Sequence, residues 1–552
     1  MAEAMPRSHD VIIMGGGLAG LTLALQLRQR IPELDILVLE RRPHPVPEAT
    51  HKVGESSVEI GANYFDTVLG LKAHMDQCQL RKFGFRFFFS DGCDDIDRVL
   101  ELGASRFLST PTYQIDRGIF ENHLGKLLGE RGVQFLDEAQ IREFDIAADG
   151  SGHTIGYEHS GSRHRARARW LIDAAGRAGL IKRKLDLSQA NGHAANAVWF
   201  RIGTRVDVDD WSQDPDWLAR CTPPKRWLST NHLVGAGYWV WLIPLASGSH
   251  SIGIVADSRL HPSESLDSFD KAMHWMAKHQ PRLARDLAGK RHLLQDFSFL
   301  RNVSYGCKQV FSGQHWALTG EAGVFLDPFY SPGNDFIAIA NTYITELIAR
   351  DRAGDAVERT ARIYERFYLS FYESTLSLYL DQYPMFGDPE VFPVKVLWDY
   401  TYYWGVLCQL YFQRRLADIA ALGALQEELN SSKALNFAMQ DFLREWSALS
   451  GRRNPPIMLD QAKLEWFAEL NRGLRDDLDD AGFAERVRAN ARQLRTLACE
   501  IVETAKAAHA GLDDAQVLAS LQGFSADAGA ARLLPRMHSA ASAPRTAAPL
   551  AG

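Results

Sequence analysis

The strongest constraint on the fold is a glycine cluster near the N-terminus, residues 15–20, which reads GGGLAG. It matches the G-x-G-x-x-G pattern, follows a short apolar run at residues 10–14 and opens a segment with helical periodicity at residues 18–27. A second apolar run, residues 35–39, ends at Glu40. Strand, glycine turn, helix, strand and acid in this order predict a dinucleotide site in a parallel α/β sheet.

The chemistry of this fingerprint assigns a role to each residue. Gly15 allows the tight turn after the strand, Gly17 lets the backbone approach a pyrophosphate, and Gly20 lets the helix pack close to the strand. The first helical turn, which includes Ala19, offers unpaired N–H groups and a partial positive charge to phosphates. Glu40 is placed to accept hydrogen bonds from ribose hydroxyls. The fingerprint alone leaves open whether the dinucleotide is FAD or NAD.

Two later segments favour FAD. Residues 171–177 (LIDAAGR) and 316–328 (WALTGEAGVFLDP) each predict a buried strand that ends in small residues and an acid. They resemble the second and third flavin-contact segments of the aromatic-hydroxylase flavoproteins, which usually have aspartate where this chain has Glu321. The resemblance implies FAD contacts at Asp173, Gly320, Glu321, Asp327 and Pro328.

A tryptophan motif narrows the family further. Residues 238–244 read YWVWLIP, in which Trp239 and Trp241 match the W-x-W-x-I-P signature of the flavin-dependent halogenases. The same residues also fit an amphipathic strand, because every second side chain points to one face. Together with the flavin segments, the motif is interpreted as a resemblance to the halogenase family.

Two further segments are similar to that family. Residues 51–57 (HKVGESS) resemble its loop beside the flavin, with Gly54, Glu55 and Ser56 in register. Residues 81–87 (RKFGFRF) resemble the strand that carries the catalytic lysine, and Lys82 falls on that lysine. Taken alone, Lys82 would be interpreted as a solvated lysine at the start of a strand. Its register with the other motifs favours the catalytic interpretation.

The resemblance implies FAD- and oxygen-dependent halogenation of an aromatic substrate. Reduced FAD, supplied by a partner flavin reductase, and oxygen convert chloride or bromide to hypohalous acid. A dry channel leads the acid to a separate cavity, where Lys82 captures or activates it beside an electron-rich arene. Halide is expected at the backbone amides of Gly333 and Asn334, where a long helix begins.

Two positions depart from the family pattern. Tyr330 stands where tryptophan halogenases carry a glutamate that helps to activate the arene or the oxidant, which favours a phenolic substrate, free or bound to a carrier protein. Pro332 stands where the family supplies a backbone N–H near the halide, and proline has none. A chain that kept only the flavin site would be a hydroxylase or another oxidoreductase. That alternative stays open, as does a flavin-binding protein without enzymatic activity.

Hydrophobic patterning predicts an α/β fold with a doubly wound FAD-binding sheet, interleaved with a second mixed or antiparallel sheet. The FAD-binding domain spans residues 8–350, and its substrate-side sheet draws on about 83–120 and 190–310. Residues 351–525 are expected to be mainly helical. The aromatic residues between 376 and 412 are interpreted as a helical core, with an apolar substrate site or a partner-docking surface as the alternatives. Residues 526–552, rich in Ala, Ser and Pro, are expected to be a disordered tail.

Composition argues against several other classes. The formal net charge of −7 gives no basic footprint for nucleic acid. The six cysteines form no C-x-x-C pair, so no metal site is expected, and reduced thiols of a cytoplasmic protein are the simplest interpretation. No apolar run approaches the roughly 18 residues of a membrane helix, and no secretory signal pattern precedes the first strand.

Overall fold

The computed structural model describes residues 7–48, 54–148, 151–524 and 532–534. In chain order, the strands are Arg7–Met14 (β1), Ile36–Leu39 (β2), Leu80–Arg81 (β3), Phe85–Phe88 (β4), Glu101–Gly103 (β5), Tyr113–Gln114 (β6), Gln134–Leu136 (β7), Gln140–Asp145 (β8), His153–His159 (β9), Ser162–Asp173 (β10), Ser188–Gln189 (β11), Ala195–Ile202 (β12), Thr230–Gly235 (β13), Tyr238–Pro244 (β14), His250–Asp257 (β15), Leu294–Leu300 (β16), Gly306–Cys307 (β17), Phe311–Ser312 (β18), Trp316–Leu318 (β19) and Met458–Asp460 (β20).

The α-helices are Leu18–Arg30 (α1), Glu59–Asn63 (α2), Lys72–Cys78 (α3), Arg117–Glu130 (α4), Leu180–Lys184 (α5), Pro215–Ala219 (α6), Phe269–His279 (α7), Pro281–Leu287 (α8), Gly333–Arg352 (α9), Glu358–Leu376 (α10), Phe392–Tyr402 (α11), Gln409–Phe412 (α12), Ile419–Ala424 (α13), Gln426–Leu449 (α14), Glu465–Arg472 (α15), Asp480–Ala508 (α16) and Ala515–Ser520 (α17). Residues Tyr64–Val68 and Tyr403–Cys408 form π-helical segments.

The first sheet carries the predicted dinucleotide fold. Its order is β18-β19-β10-β1-β2-β7, with β9 and β8 continuing antiparallel from the outer part of β10. Strands β1, β2, β7, β10 and β19 run parallel to their neighbours in this core. Residues 11–14 of β1 are fully buried, as a parallel strand covered on both faces requires. The predicted strand–helix–strand unit is therefore present.

The second sheet has the order β16-β12-β15-β14-β13-β4-β5-β20. Most neighbours are antiparallel, while β13–β4 and β20–β5 are parallel, so the predicted mixed sheet is confirmed. Groups of its strands alternate along the chain with groups of strands of the first sheet, so the two sheets are interleaved in sequence. In β14, Trp239 and Trp241 face the main core, whereas Tyr238 and Val240 face a second core under α7 and α8.

The helical region packs directly against the FAD-binding part. Buried residues of α11, α14 and α16 belong to the same hydrophobic core as residues 11–14 of β1. The region also contributes β20 to the edge of the second sheet, which its sequence pattern does not predict. The expected tail lies outside the described residues except for 532–534, where the amides of Leu533 and Leu534 donate to Glu500. None of the described helices is long and apolar enough to cross a membrane.

A buried ion network supports the edge of the second sheet. Glu101 on β5 accepts hydrogen bonds from Arg86 on β4 and from Arg226, whose Nε lies 2.8 Å from the Glu101 Oε1 atom. Arg226 also pairs with Asp209 at 2.8 Å. The two guanidinium groups and the Glu101 carboxylate are completely buried, so the charge of each group must be balanced by its buried partners.

Replacing Glu101 tests that dependence. Glu101→Ala leaves two buried guanidinium groups without their shared carboxylate, and we expect the free energy of unfolding to fall by about 3–5 kcal/mol. The measurement is chemical denaturation followed by circular dichroism. Glu158→Ala, which removes a surface carboxylate beside Arg142 and Arg163, is the control and should leave the midpoint unchanged. Equal midpoints for the two variants would contradict the assignment.

Candidate active site

The glycine fingerprint opens onto a large cavity. This dinucleotide cavity of about 460 Å³ runs from the end of β1 and the start of α1 to the turn after β19. Of the predicted flavin-contact residues, the following line it: Gly15, Gly17, Ala19, Glu40, Gly320 and Glu321. Residues 174–178, which follow β10, complete the wall.

The glycines behave as the fingerprint requires. Gly15 has φ +120°, and a Cβ there would lie 2.3 Å from the Ala174 carbonyl oxygen. A Cβ at Gly20 would lie 2.0 Å from the Gly15 carbonyl oxygen, so only glycine lets α1 pack this close. Nothing lies within 4 Å of a Cβ built at Gly17, so that face of the helix N-terminus is open to the cavity. These residues fit a dinucleotide pyrophosphate.

Glu40 also supports the turn itself. Its Oε2 atom accepts the Gly16 N–H at 2.8 Å, and its Oε1 atom accepts the Arg42 N–H at 2.9 Å. Gly16 was not singled out from the sequence. It is needed because a Cβ there would lie 2.6 Å from the Phe135 ring and 2.7 Å from the Glu40 Cβ atom.

The two acids of the later flavin segments have different positions. Asp173 is buried behind the cavity wall, where its carboxylate accepts the backbone N–H groups of Ala175 and Ile181. Burial raises the pKa of Asp173 to about 6. Asp173 thus holds the wall, whereas Glu321 lines the cavity, and burial raises the pKa of Glu321 despite the nearby Arg177.

A second cavity of about 80 Å³ adjoins the first, and both are lined by Arg117, Gly320 and Glu321. We call it the motif cavity because it collects the remaining predicted residues, apart from Lys82 and Tyr330. Those that line it are Gly54, Glu55, Ser56, Trp239, Trp241, Asp327, Pro328, Gly333 and Asn334. The segments that the resemblance links, far apart in sequence, therefore meet at one place.

The tryptophan motif is tied to the flavin-side loop by hydrogen bonds. The Trp239 indole donates to the Tyr383 hydroxyl at 2.9 Å, and that hydroxyl donates to Asp327 at 2.6 Å. The same Asp327 oxygen lies 2.7 Å from the His193 Nε2 atom. Nearby, buried Glu55 pairs with Arg201 at 2.7 Å, and burial raises the pKa of Glu55.

The loop before α9 has an unusual backbone. Tyr330 and Ser331 have φ values of +64° and +53°, which non-glycine residues rarely adopt. Pro332 is the N-cap of α9, so the first amides of this helix belong to Gly333 and Asn334. The Asn334 side chain donates to the Ser56 carbonyl oxygen at 3.2 Å, which fixes the helix start against the loop beside the flavin.

Two smaller cavities share wall residues with the motif cavity or with each other. The aromatic cavity, about 40 Å³, shares Pro332 with the motif cavity and is lined by Tyr330, Tyr379, Tyr400, Tyr402, Tyr403, Asp335 and Asp399, among others. The lysine cavity, about 10 Å³, shares Val58 and Tyr400 with it and is lined by Lys82 and Glu59. Aromatic residues of the helical region are therefore cavity walls as well as core.

Lys82 is a buried lysine, not the solvated one that its sequence position alone would suggest. Its side chain is 4 % exposed, and Nζ donates to the Ser56 hydroxyl at 2.9 Å and to the Ser57 carbonyl at 3.0 Å. Nζ also lies 3.7 Å from the centroid of the Phe85 ring. Burial lowers the pKa of Lys82 well below its ordinary value, although Glu59 and Asp335 oppose this.

Sequence reasoning missed two carboxylates, Asp335 near Lys82 and Asp399 in the wall of the aromatic cavity. Asp335 accepts the Gly61 N–H at 2.8 Å and the Tyr403 hydroxyl at 2.6 Å, and burial raises its pKa to about 8. Asp399 on α11 accepts the Tyr330 hydroxyl at 2.9 Å and pairs with buried Lys395 at 2.9 Å. The one available signal was an acid in an otherwise apolar helix, as in LWDYTYYW.

Comparison with known proteins agrees with this geometry. A model of the FAD binding domain family matches residues 8–288, about half of the chain. The chain belongs to the FAD binding domain family. Over 436 residues it is 26 % identical to "Flavin-dependent halogenase chlA" of Dictyostelium discoideum, covering 73 % of this chain and 70 % of that protein.

Two further matches of this FAD binding domain protein are described as halogenating enzymes. It is 26 % identical to "1H-pyrrole-2-carbonyl-[peptidyl-carrier protein] brominase" of Pseudoalteromonas luteoviolacea, covering 60 % of this chain and 74 % of that protein. The solved structure of halogenase PltM has the same fold, with a TM-score of 0.62 and 16 % identity over 89 % of this chain and 96 % of that one. The resemblance to flavin-dependent halogenases is confirmed, and the chain is an FAD-dependent oxidoreductase of the halogenase and monooxygenase type.

The open space at Gly17 makes a specific test of FAD binding. Gly17→Val should fold, because nothing lies within 4 Å of the new Cβ, but its side chain projects into the dinucleotide cavity. We expect FAD affinity to fall at least about tenfold, or about 1.4 kcal/mol. The measurement is fluorescence titration of FAD with the apoprotein. Gly129→Val, an exposed α4 position with equally open space, is the control, and wild-type affinity in Gly17→Val would contradict the site.

Proposed function

We propose that this protein halogenates an electron-rich aromatic substrate, preferably a phenol, with chloride or bromide. The observation that carries the proposal is Lys82, buried at the far end of a series of adjoining cavities that begins at the dinucleotide cavity. Burying an amine costs free energy unless it is paired with an opposite charge. Among the described contacts, Lys82 has no such ion pair, since it donates only to neutral oxygens. A functional role accounts for that cost.

The chain's own residues would hold the cofactor. Gly15, Gly17 and the N-terminus of α1 would bind the pyrophosphate, and Glu40 would orient the ribose while supporting the turn. Gly320 and Glu321 would contact the flavin side, where the two larger cavities meet. When bound, reduced FAD with oxygen supplies the oxidant that converts halide to hypohalous acid. A separate flavin reductase is the expected partner, in the cytoplasm.

The start of α9 is the proposed halide position. Gly333 and Asn334 contribute the first amides of a long helix, where an anion is favoured by unpaired N–H groups and by the helix dipole. Both line the motif cavity, and nothing lies within 4 Å of a Cβ built at Gly333. The space needed for an ion beside this backbone is therefore available.

The remaining cavities suit the transfer of a reactive acid. Trp239 and Trp241 wall the motif cavity with apolar surface, which excludes water and slows side reactions of the oxidant. The strained Tyr330–Pro332 loop separates this space from the aromatic cavity. Lys82 would then capture or activate the oxidant beside the arene, because its lowered pKa lets the amine release and regain a proton readily.

The aromatic cavity favours a phenol. Its wall carries the carboxyl groups of Asp335 and Asp399, which can form a hydrogen bond with the hydroxyl group of a phenol. A relative's substrate is a carrier-bound pyrrole, so delivery of this substrate on a carrier protein is part of the proposal. Free and carrier-bound phenols are thus the two forms to compare.

Hydroxylation is the second candidate, because Pro332 lacks the N–H expected near the halide. The two reactions differ in product. The deciding experiment supplies a flavin reductase, NADH, chloride or bromide and a panel of phenols, and identifies products by mass spectrometry. Halogenated phenols support the proposal, whereas hydroxylated phenols formed without dependence on halide establish the second candidate instead.

Lys82 should be required for halogenation and not for flavin oxidation. Lys82→Met keeps the approximate length of the side chain without the amine. Lys82→Arg keeps the positive charge, but its guanidinium group neither forms an N–halogen bond nor readily releases a proton. We expect halogenated product to fall at least about a hundredfold in both variants. Reoxidation of reduced FAD by oxygen, followed by absorbance in a single turnover, should stay close to wild type.

Lys72→Met, which alters an exposed lysine on α3, is the matched control and should halogenate normally. Wild-type product formation in Lys82→Met would show that the lysine is structural. Slow flavin reoxidation in the same variant would show that Lys82 acts in the reaction of flavin with oxygen and not in halogenation alone.

Free tryptophan should be a poor substrate. The Tyr330 hydroxyl is bound to Asp399, and burial raises the pKa of this phenol well above its ordinary value, so it does not replace a glutamate as a base. An indole is also less readily activated by deprotonation than a phenol. Competition between tryptophan and a reactive phenol, read by mass spectrometry, should give phenol products almost exclusively. Comparable chlorination of tryptophan would overturn this reasoning.

A further inference from the structure

One buried carboxylate beside Lys82 has no structural task that accounts for it. Glu59 is the first residue of α2, is 4 % exposed and lines the lysine cavity. Its Oε1 atom has only a long contact of 3.5 Å to the Asn471 amide, and its Oε2 atom has no well-formed hydrogen bond among the described residues, although the nearby Trp404 indole N–H, itself without a partner, stabilises its charge. A buried carboxylate oxygen without a donor is costly, and such groups mark functional positions.

The electrostatic surroundings link Glu59 to the lysine. Burial raises the pKa of Glu59, while the Trp404 indole and the Lys82 ammonium oppose the rise. Burial lowers the pKa of Lys82 because it disfavours the charged ammonium, and the Glu59 carboxylate opposes this lowering. Because Glu59 and Lys82 also line the same cavity, a proton can pass between them there.

The neighbouring acid is less suited to receive a proton. Both Asp335 oxygens already accept hydrogen bonds, from Gly61 and from Tyr403. Glu59 instead has an oxygen without a well-formed hydrogen bond, and it lines the cavity that shares Val58 and Tyr400 with the aromatic cavity.

We propose that Glu59 is the catalytic base that removes the ring proton of the arene, and that it returns this proton to Lys82. The inference rests on the proposed halogenase function and supplies the carboxylate that Tyr330 does not provide. It comes from α2, an element remote from Tyr330 in the chain.

The proposed step balances without a further reactant. The ring forms a bond to the halogen of hypohalous acid, and the oxygen–halogen bond breaks with its electron pair moving to oxygen. The Lys82 ammonium donates a proton to that oxygen, which leaves as water. The ring C–H bond then breaks, its electron pair restores aromaticity, and the proton passes to Glu59. Transfer of that proton from Glu59 to the Lys82 amine restores both groups, so arene and hypohalous acid give haloarene and water.

An isotope effect tests the base directly. In wild type, ring-deuterated and ordinary phenol should be halogenated at equal rates, because proton removal is fast. Glu59→Gln keeps the shape of the side chain without its basicity, and we expect the single-turnover halogenation rate to fall about a hundredfold. Proton removal then becomes rate-limiting, so a primary isotope effect should appear in this variant alone. Glu365→Gln, at a half-buried glutamate away from these cavities, is the control and should match wild type.

A second readout needs neither FAD nor substrate. In protein labelled with carbon-13 at lysine Cε, the Lys82 signal is assigned by its loss in Lys82→Met, and its pKa is followed by NMR. Glu59→Gln should lower the pKa of Lys82 further, because it removes a nearby negative charge. Asp335 and His232, the other titratable groups that interact with Lys82, are unchanged in this variant. If Glu59→Gln does not fold, Glu59→Asp, which displaces the carboxylate, should show a smaller loss with the same isotope effect.

The outcomes separate the two claims. Halogenation by wild type, with a slow and isotope-sensitive Glu59→Gln variant and a lowered Lys82 pKa, supports the base. A Glu59→Gln variant that is fast, or slow without an isotope effect, or that leaves the Lys82 pKa unchanged, overturns the inference and leaves the halogenase function intact. Absence of halogenated product from wild type overturns the proposed function itself.

Discussion

The buried carboxylate of Asp335 joins the three parts of the chain that enclose the cavities. Asp335 lies in the first turn of α9. Its carboxylate accepts hydrogen bonds from the Gly61 N–H of α2 and from the Tyr403 hydroxyl of the helical region. The same hydroxyl accepts the Ile60 N–H at 3.2 Å, so one phenol and one carboxylate link all three elements. Leaving any of these buried groups unpaired would be costly, which makes their arrangement mutually dependent.

The positions of Lys82 and of the proposed halide site follow from that arrangement. The loop before α2 provides Ser56 and Ser57, which accept from Lys82, and α9 provides the amides of Gly333 and Asn334. The Asn334 side chain joins the two by donating to the Ser56 carbonyl. The helical region therefore contributes to the candidate active site, although no recognised motif lies in it.

The sequence predicted those features that depend on local chemistry. Buried strands at residues 10–14 and 35–39, the glycine turn and the alternating Trp239 and Trp241 positions each follow from short-range patterns, and the structure has all of them. Asp173 illustrates the limit. Its position at the end of a flavin segment was predicted, but its carboxylate binds amides behind the wall, because the turn after β10 returns its own N–H groups to it.

The residues that escaped prediction meet only in three dimensions. Glu59 and Asp335 lie in separate helices, and each has the ordinary sequence signature of an acid in the first turn of a helix, where the dipole alone explains it. The strand β20 pairs with β5 across more than half of the chain, so three residues without a strong pattern of their own gained their structure from the partner. Burial of the acids, which no local pattern reports, is what turns them into candidates for chemistry.

The backbone of the Tyr330–Pro332 loop explains how one fold holds both a flavin wall and a substrate wall. Two consecutive residues with positive φ cost about 1–3 kcal/mol each, so the conformation needs support from its surroundings. The Ser331 N–H donates to the Pro328 carbonyl at 2.9 Å, and the Tyr330 hydroxyl is bound to Asp399 of the helical region. With this turn, Pro328 and Ser331 face the motif cavity while Tyr330 faces the aromatic cavity. In a chain with only the flavin site, these residues would need to line only one cavity. A turn that directs neighbouring residues to two different cavities would then not be required. The turn is therefore a physical reason to regard the two cavities as parts of one catalytic site.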